Sequence, residues 1–171
     1  MGSTTEFLID AFERIRDGVH PAVNGLSVEE LAFRPDSESN SIAWLAWHLT
    51  RIQDDHIAGL AGVGQRWLEG GWADAMALPL DPSDTGYGHD TDQVALVVAE
   101  ARVLLDYFED VHAATLAYLG TLTEADLDRV VDTRWDPPVT TLVRIVSVIA
   151  DDLQHVGQAA YVRGLVYRRP A

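Results

Sequence analysis

Asp151 and His155 stand four residues apart in DDLQHVGQAAYVRGL, and His48 lies far upstream in NSIAWLAWHLTRIQDD. On an α-helix a four-residue step is just over one turn, so the two side chains leave one face and their heads can meet at a single cation. With His48 supplied by a second helix, the set is two imidazoles and one carboxylate, which leaves a position of a divalent ion open to a ligand. These donors suit zinc, and nickel or iron are compatible. A plain surface pair explains the Asp151/His155 spacing as well. What favours a buried site is the company: His155 sits among Ile145, Val146, Ile149, Val156 and Ala160, and His48 between Leu45, Leu49 and Ile52. Acids and imidazoles on buried stripes need compensation, and a cation supplies it. Asp152 competes with Asp151, because a three-residue step to His155 also puts both heads on one face. By helical angle Asp152 falls nearer the centre of the Ile145/Ile149/Val156 stripe and Asp151 on its flank; angle alone does not choose between them.

Substrate-binding candidates surround His48. Arg51 is the nearest fixed positive charge and could hold a ligand carboxylate; a surface pair with Asp54 or Asp55 competes with that reading. Trp44, one turn before His48, reads as a packing residue that could also line a pocket mouth, and Trp47 as packing. His89 lies in DTGYGHD, where glycines, an aromatic and an imidazole suit a loop over a pocket, although a plain turn has the same composition. His20, His56 and His112 read as solvated or capping residues. No general acid or base is assigned.

Four long helices must position these groups. The first runs from about Thr5 to Val19, with Ser3 and Glu6 at capping-box spacing, and His20-Pro21 is expected to end it. After a short capped segment at Ser27–Leu31, the second runs from Ser41 to about Leu60, capped by Asn40 or Ser39 and closed by the Gly59–Gly64 turn. Gln65–Leu78 reads as a short helix interrupted at Gly70-Gly71. The third runs from about Asp92 to Leu122 with Val94, Val97, Ala101, Leu104, Phe108, Val111 and Thr115 on one stripe. A short helix opens at Thr123, Asp136-Pro137-Pro138 makes a loop, and the fourth long helix spans Thr140 to about Val166. No alternation of strand length stands out. The expected fold is all-α: a four-helix bundle in one domain, residues 1–171, with long connections between helices two and three and between three and four.

Composition narrows the function. With 171 residues there is length for one core. The chain has no cysteine, which excludes disulfides, thiolate ligands and a protein-borne thiol nucleophile; any thiol chemistry takes its thiol from outside. A formal charge of −15, with no basic cluster beyond Arg168 and Arg169, argues against nucleic acid and anionic membranes as partners. All twelve basic residues are arginine. No apolar run of membrane-spanning length and no basic leader is seen, so a cytoplasmic protein is expected. A homodimer through helix faces is compatible with a bundle.

The chain resembles the DinB/YfiT-like superfamily of metal-binding four-helix bundles, and within it the actinobacterial mycothiol-dependent branch. The carriers are NSIAWLAWHLTRIQDDHI around His48, TGYGHDTDQV before the third helix, and HVGQAAYVRGL from His155. The family pattern is a histidine on the second helix and a His-x-x-x-His pair on the fourth. In mycothiol-dependent maleylpyruvate isomerase a carboxylate replaces the first member of that pair. The resemblance therefore assigns Asp151, with His48 and His155, as metal ligands, with Asp where the isomerase has Glu. The isomerase has a second domain without counterpart in these residues, which points to the thiol S-transferase relatives. The implied chemistry is ionisation of a small thiol, mycothiol, on the metal and attack on an electrophile. Two other classes compete: a metal-binding stress or interaction protein without turnover, and a metal-dependent hydrolase using water.

Overall fold

The structure is a computed structural model that describes residues 3–168; Arg169 lies outside them. Four long helices form a bundle: α1 (Thr4–Val23), α3 (Ile42–Ala61), α7 (Ala101–Leu119) and α9 (Thr141–Val166). Helix α3 packs against α9 and α7, and α1 against the same two, so α1 and α3 are diagonal. Phe12 and Ile15, Leu45 and Leu49, Tyr107 and Phe108, and Ile145 and Val148 meet in the core.

Helix α1 is capped as expected, Glu6 N donating to Ser3 Oγ and Ser3 N to Glu6 Oε2. It does not end at His20-Pro21 but runs to Val23. Proline removes an N–H and crowds the carbonyl four residues back, and in a final turn one lost bond is tolerable: Asn24 N still donates to His20 O at 2.9 Å. Helix α2 (Val28–Leu31) follows in the long connection. Neither Asn40 nor Ser39 caps α3; Ser41 does, accepting from Trp44 N, and Gly62 at φ 71° closes the helix.

Helices α4 (Arg66–Glu69) and α5 (Trp72–Met76) are divided at Gly70-Gly71. The expected third helix is two: α6 (Thr91–Ala95) and α7, separated by residues 96–100. Val94 and Val97 are both buried, so the apolar spacing runs through the break, while adjacent β-branched Val97 and Val98 weaken helix there. Helix α8 (Glu124–Leu127) starts from its Thr123 cap. A short antiparallel ribbon, β1 (Val130–Asp132) with β2 (Val139–Thr140), precedes α9. It is too short to show an alternating pattern.

Candidate metal centre

The adjacency of α3 and α9 brings His48 over the Asp151/His155 face. His48 Nε2 is 3.9 Å from Asp151 Oδ2 and His155 Nε2 is 3.6 Å from Asp151 Oδ1. One ligand atom from each residue lies within 4.8 Å of the other two. Donors about 2.1 Å from a tetrahedral ion stand roughly 3.4 Å apart, so closure needs shifts of a few tenths of an ångström up to about 1.4 Å, which side-chain rotation supplies.

The donor chemistry fits a cation. His48 Nδ1 lies 2.6 Å from Thr85 O, and a carbonyl only accepts, so the proton is on Nδ1 and the Nε2 lone pair points at the acid. Asp151 Oδ2 is sealed from solvent with no hydrogen-bond partner. Two acceptors facing one another need a positive charge between them. Burial lowers the His48 pKa, and the Thr85 carbonyl offsets only part of that, so this imidazole stays neutral. Burial raises Asp151, but the hydrogen bond and charge of the adjacent His155 outweigh it and hold the carboxyl below its ordinary value. Burial lowers His155, yet Asp151 and the Gln158 side chain prevail and raise it. His155 Nδ1 pairs with Gln158 Oε1 at 2.8 Å.

Asp152 points the other way. It is 0 % exposed, and neither oxygen has a hydrogen-bond partner. Burial, then the Asp151 charge, pushes its pKa well up. Its place near the centre of the apolar stripe buries it, whereas Asp151 on the flank meets the histidines.

A loop covers His48. Trp44 stacks on the His48 ring, centroids 4.5 Å apart, and donates its Nε1–H to His89 Nδ1 at 3.1 Å. His89 is tucked beneath the loop against Trp47, its Nε2 3.0 Å from Asp84 Oδ1. Gly86 sits at φ 88° against His48 and Trp47. Arg51 is 0 % exposed: its expected partner Asp54 is there, Nη1 3.8 Å from Asp54 Oδ2, but the pair is buried and not on the surface, and Arg51 also donates from Nε to Asp84 O and from Nη1 to Gln65 Oε1 while stacking over Trp67. A ligand carboxylate reaches it only if the loop moves. The Thr85 carbonyl and the Asp84 anchor have no residue-type signature; the glycines of DTGYGHD were the available signal.

The remaining histidines stand elsewhere. His20 pairs with Glu109, and His56 is half-buried beside Asp55. His112, expected to be solvated or capping, is buried and stacked on Phe108, because its helix turns that face to the core.

Residues 11–159 match the family model described as the DinB superfamily. A solved structure described as a conserved protein of locus from Enterococcus faecalis is 33 % identical, with TM-score 0.92, covering 99 % of this chain and 100 % of that one. No curated protein matches the chain. With the family model spanning most of its length and the fold reproduced in that relative, the chain belongs to the DinB superfamily.

Proposed function

We propose that this protein is a metal-dependent thiol S-transferase that joins a small thiol, mycothiol or a close analogue, to an electrophile in detoxification, with zinc as the ion. The observation that carries this reading is a three-donor set at the edge of the core: His48 is buried under its loop, while the Asp151 side chain is 36 % exposed. Three protein donors leave room for an external ligand. A cation held by His48, Asp151 and His155 supplies Lewis acidity, which brings the pKa of a ligated thiol or water toward neutrality.

The lack of cysteine requires that the sulfur arrive with a ligand. A cleft of about 600 Å3 bordered by Leu45, Gln154, Gln158 and Tyr161 adjoins the His155 side, room for an organic molecule of drug size. In the reaction the thiol sulfur bonds to the electrophilic carbon, the leaving group departs with its electron pair, and the thiol proton passes to solvent.

The test is a zinc-loaded assay with mycothiol and chlorodinitrobenzene, beside His155→Ala. The expected result is conjugate formation that needs both thiol and metal and is lost in the variant together with stoichiometric zinc. Turnover of esters in water without thiol would replace this reading with a hydrolase. Metal bound without turnover of either kind would leave a binding protein.

A further inference from the structure

Further along α3 and α9 from the candidate triad, next to the β1–β2 ribbon, lies a cleft of about 650 Å3. Its walls carry Arg129, Arg134 and Arg144, facing His56, Asp55 and Asp132. Three of the twelve basic residues of a chain with formal charge −15 therefore surround one cleft. The acids do not cancel them. Asp132 is one carboxylate shared by two guanidiniums, Arg134 Nη2 at 2.8 Å and Arg144 Nη2 at 3.0 Å. Asp55 is turned toward Gln65, whose Nε2 donates to its Oδ1 at 2.7 Å. Arg129 gives one long hydrogen bond, 3.5 Å, to Leu60 O, lies near enough to the Tyr118 hydroxyl to interact with it, and has no carboxylate at ion-pair distance among the described residues.

The cleft and the triad draw on the same two helices, α3 and α9. His56 lies about 12 Å beyond His48 along α3, and Arg144 about 10 Å from Asp151 along α9, from the helical rise. His56 and Asp151 are near enough for each to feel the other's charge. A guanidinium grips carboxylate and phosphate oxygens through two parallel N–H donors, and an excess of guanidiniums over carboxylates leaves such donors to spare.

We propose that this cleft is an oxyanion subsite that takes the carboxylate or phosphate end of an elongated small molecule whose other end reaches the metal triad. The span to the metal rests on the functional reading above; the anion site does not. The ligand is thus an acidic small molecule of two-ended form, with an oxyanion held by Arg129 and Arg144.

Two titrations test it. In the first, inorganic phosphate and acetate are titrated calorimetrically into the full-length, metal-free protein, where no cation can capture them. Saturable millimolar binding of at least one is expected. It should weaken about tenfold in Arg129→Gln, an exposed position whose loss leaves the fold intact, and more in Arg129→Gln/Arg144→Gln. His48→Ala/His155→Ala should leave it unchanged. Phosphate alone points to a phosphate ester, and acetate alone to a carboxylic acid. Saturation by neither anion, or equal affinity in folded Arg129→Gln, overturns the proposal.

In the second, cobalt-substituted protein is titrated with mercaptohexanoate and with mercaptohexanol. The acid should bind about tenfold more tightly in the wild type, and that preference should vanish in Arg129→Gln. Equal binding of the two thiols overturns the span. A protein that takes up no metal sinks the functional reading instead, and the phosphate and acetate result still decides the subsite.

Discussion

Replacing Gly86 by alanine tests whether the covering loop holds His48 in its ligating form. Gly86 is at φ 88°, where an L-residue costs about 1–2 kcal/mol. A Cβ there would stand 2.7 Å from His48 Nδ1, 3.0 Å from Trp47 Cζ3 and 3.2 Å from Trp44 Cζ2. None of these atoms is the end of a flexible chain; all belong to buried rings. The loop must therefore lift, and the first bond to stretch is the 2.6 Å contact between His48 Nδ1 and Thr85 O, worth about 1 kcal/mol. The expected destabilisation is about 2–3 kcal/mol, read from the urea midpoint at unchanged slope. Losing the partner that fixes a ligating imidazole lowers metal affinity about 10- to 100-fold, measurable by competition with a chromogenic chelator. A folded Gly86→Ala protein with wild-type metal affinity would refute the link between loop and ligand.

Three further outcomes are expected. Because the His155 pKa is raised above its ordinary 6.5, protons compete with metal from above that pH; apparent affinity should fall about tenfold per pH unit below the His155 pKa, checked by chelator competition from about pH 6 to pH 8. Asp152 has a folded pKa raised above its ordinary 3.8, so it favours the folded state at low pH and penalises it as pH rises. In metal-free protein Asp152→Asn should gain about 1.4 kcal/mol per pH unit over wild type until the folded pKa is passed, and a pH-independent difference in urea unfolding would count against an orphan acid. Arg51→Ala should cost about 3–5 kcal/mol in the same assay by stranding the Asp84 carbonyl and the Gln65 amide oxygen and by removing the cation beside buried Asp54, and Arg51→Lys should rescue little, since one ammonium cannot reach Asp84 O and Gln65 together.

The sequence carried the parts of this centre that depend on residue type and helical spacing. Asp151 and His155 share a face because they are one turn apart, and His48 lies on an apolar stripe, so the structure's grouping of the three follows from periodicity and bundle topology. The angular argument that left Asp151 and Asp152 open also explains their fates: the central residue is buried alone and the flanking one meets the histidines. What spacing could not show is whatever rests on backbone or on distant segments. The Thr85 carbonyl is available from any residue type. Arg51 reads as a charged surface position until the loop from Asp84 to His89 closes over it. The break before α7 is silent because Val94 and Val97 stay buried on both sides of it, and the Pro21 N–H is dispensable only because the helix was about to end. The arginine cleft draws on α3, a ribbon and α9, which no local pattern joins.

The loop and the centre are one mechanical unit. Trp44, His48 and Arg51 fall on one stripe of α3, three and four residues apart, and each spends a polar atom on the loop: Trp44 on His89, His48 on Thr85, Arg51 on Asp84. Residue numbers rise along the helix as they fall along the loop, so the segment lies antiparallel over α3 like a strap with three fastenings. Only the middle one touches a member of the candidate triad. Yet a strap held at three points in a close-packed interior moves as a whole, so loosening Arg51 or His89 should disturb the His48 tautomer without contact with the triad. The two ends need not weigh equally. Arg51 is wholly buried and gives two hydrogen bonds besides covering a tryptophan face, whereas the His89 fastening is one hydrogen bond from Trp44 and a stack on Trp47. The Arg51 end should therefore govern how firmly the loop is seated, and through it the affinity of the triad for an added cation.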